Sequence, residues 1–382
     1  MSDVVVIGAG MVGAACAYYG AMAGLSVTVL EQGFIAGGTT SRGEGNVLVS
    51  DKEPGPELDL ALWSRDLWLE VGADLGTDTL ELEEKGGLVV AEDSSGLDPL
   101  HDFADAQATA GVDTRRVPAT SLRDHEPHLA EGLAGGVLYP QDMQVQPVLA
   151  AASLLEAARS RGAHVSPGTP ATGIERDHAG RVSAVLTTNG RIPTPVVVNA
   201  AGPWGGLVSD LIGTPVPVLP RRGFVLVTEP LPKVIHHKVY SADYVGNVGS
   251  DEAGLETSTV IEGTRGGTLL IGASRERVGF DDTFSVEITR MLARQALRLF
   301  PFLERVRLIR AYRGFRPYCP DHLPVIGEDP RTEGVFHACG HEGAGIGLAP
   351  ATGKLIAQLV TGDSPGLSPS SFAPTRFLQA TA

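Results

Sequence analysis

The stretch Val4-Val5-Val6-Ile7-Gly8-Ala9-Gly10-Met11-Val12-Gly13 opens with four β-branched residues and runs straight into three glycines at GxGxxG spacing. The first four residues predict a short strand buried on both faces, as in a parallel sheet. Ala14 to Ala23 predicts a helix of small residues that can lie close on a sheet. Leu25 to Leu30 predicts a second strand, with Glu31 at its end. Together they make a complete βαβ unit. Gly8 permits the tight turn, Gly10 lets the backbone approach a pyrophosphate, and Gly13 lets helix and strand pack. The helix N-terminus directs free N–H groups and partial positive charge at phosphates. Glu31 can accept hydrogen bonds from both hydroxyls of a ribose while repelling a 2′-phosphate. The unit predicts a dinucleotide site and leaves FAD and NAD both open.

The chain has 382 residues, 43% hydrophobic and 20% charged. That length suits two or three domains and a sizeable core. Lys plus Arg is 30 against 45 Asp plus Glu, a formal charge of −15. This argues against a clustered basic nucleic-acid footprint but not against an anionic substrate in a locally basic pocket. Cys16, Cys319 and Cys339 are odd in number and widely spaced, which gives no disulfide framework and predicts a reducing cytoplasm. Val4 to Leu30 carries no charge and is long enough for a bilayer. Its five glycines, its mid-way change of period and the lack of a preceding basic region argue against a membrane span or signal peptide.

Thr39 to Asn46 is polar and glycine-rich and is expected to run over the bound dinucleotide. Glu57 to Leu75 predicts an amphipathic helix with Trp63 and Trp68 in the core. Asp98 to Ala110, Pro118 to Leu129 and Pro147 to Arg161 predict further helices, and Gly162 to Val165 a strand. Ile174 to Asp177, Val182 to Thr188 and Arg191 to Pro193 predict a small meander. Val196 to Asn199 reads as a buried strand that ends in the small residues Ala200, Ala201 and Gly202 before Pro203 and Trp204. Val218 to Ile271 is strand-rich. Thr283 to Phe302 predicts a long helix with Ile288, Leu292, Ala296 and Leu299 on one face. Tyr312 to Tyr318 predicts a strand, and Gly334 to Gly347 followed by Leu348 to Val360 a second strand–glycine loop–helix unit. Ser364 to Ala382 is expected to fray. His236 and His237 have no third ligand at metal spacing, so no metal is expected. The alternation predicts a mixed α/β fold of two interleaved domains, one Rossmann-like and one built on a smaller antiparallel sheet.

Three segments in this order resemble the FAD-dependent amino acid oxidase superfamily, which includes D-amino acid oxidase, glycine oxidase and sarcosine oxidase. They are the GxGxxG unit with Glu31, the run Val197-Val198-Asn199-Ala200-Ala201-Gly202-Pro203-Trp204, and the stretch from Gly314-Phe315-Arg316-Pro317 to Gly340-His341-Glu342-Gly343-Ala344-Gly345. The segment Ser41-Arg42-Gly43-Glu44-Gly45-Asn46 through Asp51-Lys52-Glu53-Pro54-Gly55-Pro56-Glu57 is similar to the flavoprotein β subunits of hydroxyproline and opine dehydrogenases and to the third subunit of hydrogen cyanide synthase. The resemblance implies an FAD-binding domain from 1–50, 147–213 and 306–365, a substrate domain from 51–146 and 214–305, and a tail at 366–382. It implies extended FAD. Gly8, Ala9, Gly10, Met11, Val12, Gly13, Glu31 and Gln32 would hold its adenosine and pyrophosphate, and the Val165 backbone would meet adenine. Ser41, Arg42, Gly43, Asn46 and Val47 would line the flavin side, with Ala200, Gly202, Trp204 and Gly314. Gly340, Gly343, Ala344, Gly345, Ile346 and Gly347 would meet the ring edge. The cysteine that bonds flavin in sarcosine oxidase aligns with Arg316, while Cys319 falls three residues later, so non-covalent FAD is expected.

For chemistry, Arg316 matches the arginine that binds substrate carboxylate, a role suited to a planar bidentate guanidinium. Tyr240 and Tyr244 lie where the family supplies site tyrosines, and Arg222 and Arg275 are further candidates. His341 is a candidate general base, set against a loop histidine bonding backbone; hydride transfer needs no base on carbon. No lysine occurs between Lys238 and Lys354, where sarcosine-type oxidases keep one for oxygen reduction. The expected reaction is therefore C–N oxidation of a D-amino acid, D-hydroxyproline-like or opine substrate to an imine. Electrons would pass to a quinone or to partner subunits, a second flavoprotein and an iron–sulfur subunit. The alternatives are an oxygen-using oxidase and an electron-transfer subunit without its own substrate site. The expected location is cytoplasmic, including a peripheral position at the inner membrane face.

Overall fold

The computed structural model describes residues 1–244 and 250–380. A six-stranded sheet carries the N-terminal unit. Its strands run in the order Val325–Glu328, Val335–Cys339, Val196–Asn199, Val4–Ile7, Val27–Leu30 and His164–Ser166. The Val4–Ile7 strand pairs in parallel on both sides, with Val27–Leu30 and with Val196–Asn199. All four of its residues are buried, as expected of a central parallel strand with helices on its faces. The helix that follows spans Met11–Met22. It packs so closely on the helix Ala349–Thr361 that a Cβ at Gly353 would lie 2.5 Å from the carbonyl carbon of Ala15. The small residues of both glycine-loop helices therefore serve helix contact as well as ligand approach.

The second sheet has eight strands in the order Leu308–Tyr318, Leu219–Thr228, Leu269–Arg275, Glu256–Gly263, Lys238–Ser241, Gly87–Ala91, Gly135–Tyr139 and Arg115–Pro118. The strand Leu219–Thr228 shows how its faces divide. Phe224 and Leu226 pack in one core with Ile288, Leu292, Ala296 and Leu299 of the helix Val286–Leu299. Gly223 and Val225 point the other way, into the main cleft. The apolar face of this helix is thus the one the sequence predicts, and the helix starts on a Ser285 cap whose Oγ accepts from the Ile288 N–H at 3.3 Å. The meander forms a separate three-stranded sheet from Ala171–Arg176, Val182–Thr187 and Gly190–Pro193.

Three expectations change. Pro118 to Leu129 is not one helix: Arg115–Pro118 is an edge strand, followed by single turns at Ala119–Ser121 and Leu122–His125. Leu308–Tyr318, read with the nucleotide half, pairs instead with Leu219–Thr228 in the large sheet. Among the described residues, the C-terminal tail is anchored rather than frayed, and Phe372 is buried. Arg376 in that tail bonds the Leu323 carbonyl at 2.8 Å and pairs with Asp321 at 2.5 Å. The sequence hid this anchoring, since one buried aromatic and one arginine make no periodic pattern. Among the described residues, no helix is long and apolar enough to cross a membrane.

Candidate active site

A cleft of about 370 Å³ runs between the two sheets. At one end it is bounded by Glu31, Gln32, Phe34 and the stretch Thr169 to Ala171; it then passes Gly8, Gly10, Met11 and Val12. Gly8 has φ +114°, and a Cβ there would collide with the Ala200 carbonyl. Only glycine takes that turn without strain. Gly13 lies beneath, where a Cβ would strike the Gly8 carbonyl. No side chain caps the Met11–Met22 helix, and its first turn holds no acid. The Met11 N–H donates to Thr40 Oγ1 at 2.9 Å. Glu31 bridges the turn: Oε2 accepts the Ala9 N–H at 3.0 Å and Oε1 the Gly33 N–H at 2.7 Å. Each oxygen keeps a lone pair for a ribose hydroxyl.

Farther along, the cleft is walled by Thr39, Thr40, Arg42, Gly43, Glu44 and Asn46 on one side, and by Ala200, Gly202 and Trp204 on another. Trp204 stacks on Phe280 with ring centroids 5.6 Å apart, and Phe280 meets Phe315 edge-on at 5.4 Å. The far end is closed by Gly314, Phe315, Arg316, Gly343, Gly345 and Ile346. Trp68, fully buried as expected, holds this last loop through its indole N–H to the Gly347 carbonyl at 3.1 Å, and Ser64 Oγ donates to the same carbonyl at 2.6 Å.

Several expected cofactor contacts lie one layer back. Val165 sits in the sheet beside Val29, and Thr169 to Ala171 form the cleft wall in its place. Ser41 turns its hydroxyl to the Gly38 carbonyl at 3.2 Å. Val47 and Gly347 pack against each other, and Gly340 turns the backbone at φ +79° against Cys319 and Val218. Ala344 faces a second cavity.

That second cavity, about 770 Å³, opens beyond the far end of the cleft. The two share Tyr244, Arg316, His341, Glu342 and Gly343. Arg316 reaches this junction because Gly223 has no Cβ, and its Nη1 donates to the Ser274 carbonyl at 2.8 Å. Arg275 lines the second cavity and lies 5.3 Å from the Tyr244 ring centroid. Burial, then the neighbouring Arg275, lowers the Arg316 pKa from the usual guanidinium value, though Arg316 stays cationic. Two cations and a phenol therefore meet where the cavities join.

The other candidates resolve differently. Arg222 is not at the site: it pairs with Glu276 at 2.8 Å and Asp281 at 2.9 Å. His341 is at the junction, but its Nε2 is 2.9 Å from Thr352 Oγ1 and burial pushes it down to about 3. It stays neutral at working pH, an anchoring residue rather than an acid. Tyr240 is buried behind the site, bonded to Ser50 and to Asp142. Asp142 also accepts the Val49 N–H at 2.9 Å, and burial raises its carboxyl to about 6. Its folded pKa exceeds the unfolded value near ~3.9. Its contribution to stability is therefore full below that value and is lost as the pH rises through 6, a fall of about 3 kcal/mol. Asp142→Asn is expected to flatten that part of a stability–pH curve measured by chemical denaturation between pH 4 and 7.

Sequence reasoning missed Glu342, Lys52 and Lys238. Against the upward pull of burial, hydrogen bonds from His322 and Arg221 hold the Glu342 carboxyl below its usual range. Lys52 lines the second cavity, paired with Asp51 at 2.8 Å and Glu57 at 3.6 Å. Lys238 lies behind the cleft wall, 2.9 Å from Glu262 and bonded to Asn46. Lys52 and Glu342 lie inside quoted motifs that assign them no role, and no local motif marks Lys238, whose partners Glu262 and Asn46 come from distant segments.

An extended groove from an acid-bridged glycine turn to a paired-cation pocket defines a dinucleotide-dependent oxidoreductase. Residues 3–359 match the DAO family, described as FAD dependent oxidoreductase, and the chain belongs to that family. It is 30% identical to the glycine oxidase of Geobacillus kaustophilus, over 98% of this chain and 97% of that protein. It is 28% identical to hydrogen cyanide synthase subunit HcnC of Pseudomonas aeruginosa, over 98% and 96%. The crystal structure of glycine oxidase from Geobacillus kaustophilus superposes with a TM-score of 0.89 at 28% identity, covering 99% of both chains.

The residues present fit FAD. Glu31 and its neighbours would hold the adenosine, the Gly8–Gly10 turn the pyrophosphate, and the segment 39–46 with Phe315 and Gly343 to Ile346 the ring system. Bound there, FAD supplies the hydride acceptor. Of the three cysteines only Cys339 lines the cleft, and burial pushes its thiol up to about 12, so it offers no thiolate at neutral pH. Acid precipitation is accordingly expected to release all the flavin into the supernatant, read as supernatant absorbance against a colourless pellet.

Proposed function

We propose that this enzyme oxidises the C–N bond of an amino acid to an imine, with an N-substituted, opine-like or D-hydroxyproline-like substrate favoured over glycine. The observation that carries this is the junction of Arg316, Arg275 and Tyr244 between the cleft and a larger second cavity. The two guanidiniums would clamp the carboxylate, leaving Cα at the cleft side. The 770 Å³ beyond gives room for a side chain or N-substituent that glycine lacks. The neutral His341 and the aromatic wall keep water from the reacting carbon. Electrons would pass to a partner subunit or quinone; the subunit named among the relatives supports a partner. All three cysteines are free and buried, in keeping with a cytoplasmic location.

The test is anaerobic. The purified yellow protein is mixed with D-, L- and N-substituted amino acids, and bleaching by one of them names the substrate. If none bleaches it, this reading fails and an electron-transfer role replaces it. The alternative of an oxidase gains from the glycine oxidases among the relatives. Peroxide formed in step with turnover would establish oxygen as the acceptor.

A further inference from the structure

Beside Arg316, the wall of the cleft holds a carboxylate that the fold leaves half used. Glu44 lines the cleft with its side chain only 7% exposed. Its Oε2 accepts from Asn46 Nδ2 at 3.2 Å and faces Lys238 Nζ at 3.7 Å. Its Oε1 is buried and has no hydrogen-bond partner. The position is built for it: a Cβ at Gly272 would collide with Oε1. A buried acceptor without a donor is costly, and native folds rarely keep one without a use.

Five charged or phenolic groups surround Glu44. From the Lys238–Ser241 strand and the turn after it come Lys238 and Tyr244; from Glu256–Gly263 comes Glu262; from Leu308–Tyr318 come Arg316 and Tyr312. Glu262 already holds Lys238 at 2.9 Å and the Gly45 N–H at 3.2 Å. The lysine is therefore shared between two acids, and the cluster has an acid to spare. Arg316 and Tyr244, the groups assigned to the substrate, stand close enough to act on Glu44 electrostatically.

We propose that Glu44 is the base that takes the ammonium proton from the bound amino acid, an inference that rests on the amino acid reading above. An N–H bond of the substrate ammonium breaks and an O–H bond forms on Oε1. No electrons change hands in this step. It leaves a neutral amine whose lone pair can form the C=N bond as hydride leaves Cα. The proton returns to solvent when the cleft empties. Burial raises the proton affinity of Glu44, which brings it nearer to that of an amine and suits it to the transfer. Arg316 would place the carboxylate, and Glu44 would set the charge of the nitrogen.

The experiment uses the FAD-loaded protein and whichever of glycine, sarcosine, D-proline and cis-4-hydroxy-D-proline bleaches the wild type. Flavin reduction is followed by anaerobic stopped flow across pH. Glu44→Gln is expected to keep its flavin content and visible spectrum. Its reduction rate at neutral pH should fall by about 100-fold or more. That rate should climb about tenfold per pH unit until the substrate's own ammonium titrates. Glu44→Asp, which keeps a carboxylate, should restore much of the rate at neutral pH with a displaced acid limb. A Glu44→Gln protein with the wild-type profile overturns the proposal. If Glu44→Gln comes out colourless, Glu44→Asp is read instead, and an unmoved acid limb overturns the proposal. A wild type bleached by none of the four, nor by any of the wider D-, L- and N-substituted panel above, removes the amino acid reading itself, and the base with it.

Discussion

Replacing Arg316 with alanine is expected to leave a yellow protein that the amino acid substrate proposed above reduces far more slowly. Arg316 is the one residue of the junction that lines both cavities, carries positive charge and has a hydrogen bond to fixed backbone, the Ser274 carbonyl. Losing one side of a desolvated charge pair costs about 2–5 kcal/mol, so the ratio of reduction rate to substrate Kd should drop by roughly 30-fold to several thousand-fold. Arg275 remains to attract the carboxylate, which keeps some binding. Arg316→Lys should recover only part of the loss, because an ammonium cannot match a carboxylate with two parallel N–H bonds. Stopped-flow reduction under anaerobic conditions separates the two parameters. A wild-type ratio in the alanine variant would take the substrate clamp away from this residue.

Gly8→Ala should give colourless protein with a markedly lower Tm. Two costs add at this position. The backbone is at φ +114°, where an L-residue is strained by about 1–3 kcal/mol. The new methyl group also meets the Ala200 carbonyl, and overpacking of this sort costs about 1–3 kcal/mol more. The sum is a large part of the ~5–15 kcal/mol that holds a domain together. Relief by moving the turn away from Ala200 would displace the backbone that has to meet the pyrophosphate. The ratio of flavin to protein absorbance and a thermal melt read both effects.

Much of the cofactor half was legible in the sequence because its signals are local. Val4 to Ile7, the three glycines and Glu31 sit within one βαβ unit, and the strand, the turn at Gly8 and the close packing at Gly13 form as their spacing predicts. The position of Arg316 at the far end of the cleft was legible through its immediate neighbours. Residues that act across the large sheet were not. Glu44 faces Lys238, which comes from nearly two hundred residues away, and no periodicity links them. Arg222 misled because the strand Leu219–Thr228 alternates faces: it sits next to Gly223, which faces the cleft, yet points the other way to Glu276. The chemistry of His341 is set by burial, which one sequence does not display. Tyr240 and Tyr244 are one helical turn apart in number, and only the second reaches the junction.

The burial of Lys52 and Lys238 also governs how the protein can be handled. Of five lysines in the chain, these two are locked in ion pairs, Lys85 and Lys354 are partly covered, and only Lys233 is exposed. Amine-directed reagents therefore find very few places to attach on this surface. A search for a docked subunit by amine cross-linking would return almost nothing even from a tight complex. The 45 acidic residues make carboxyl-directed chemistry the informative choice.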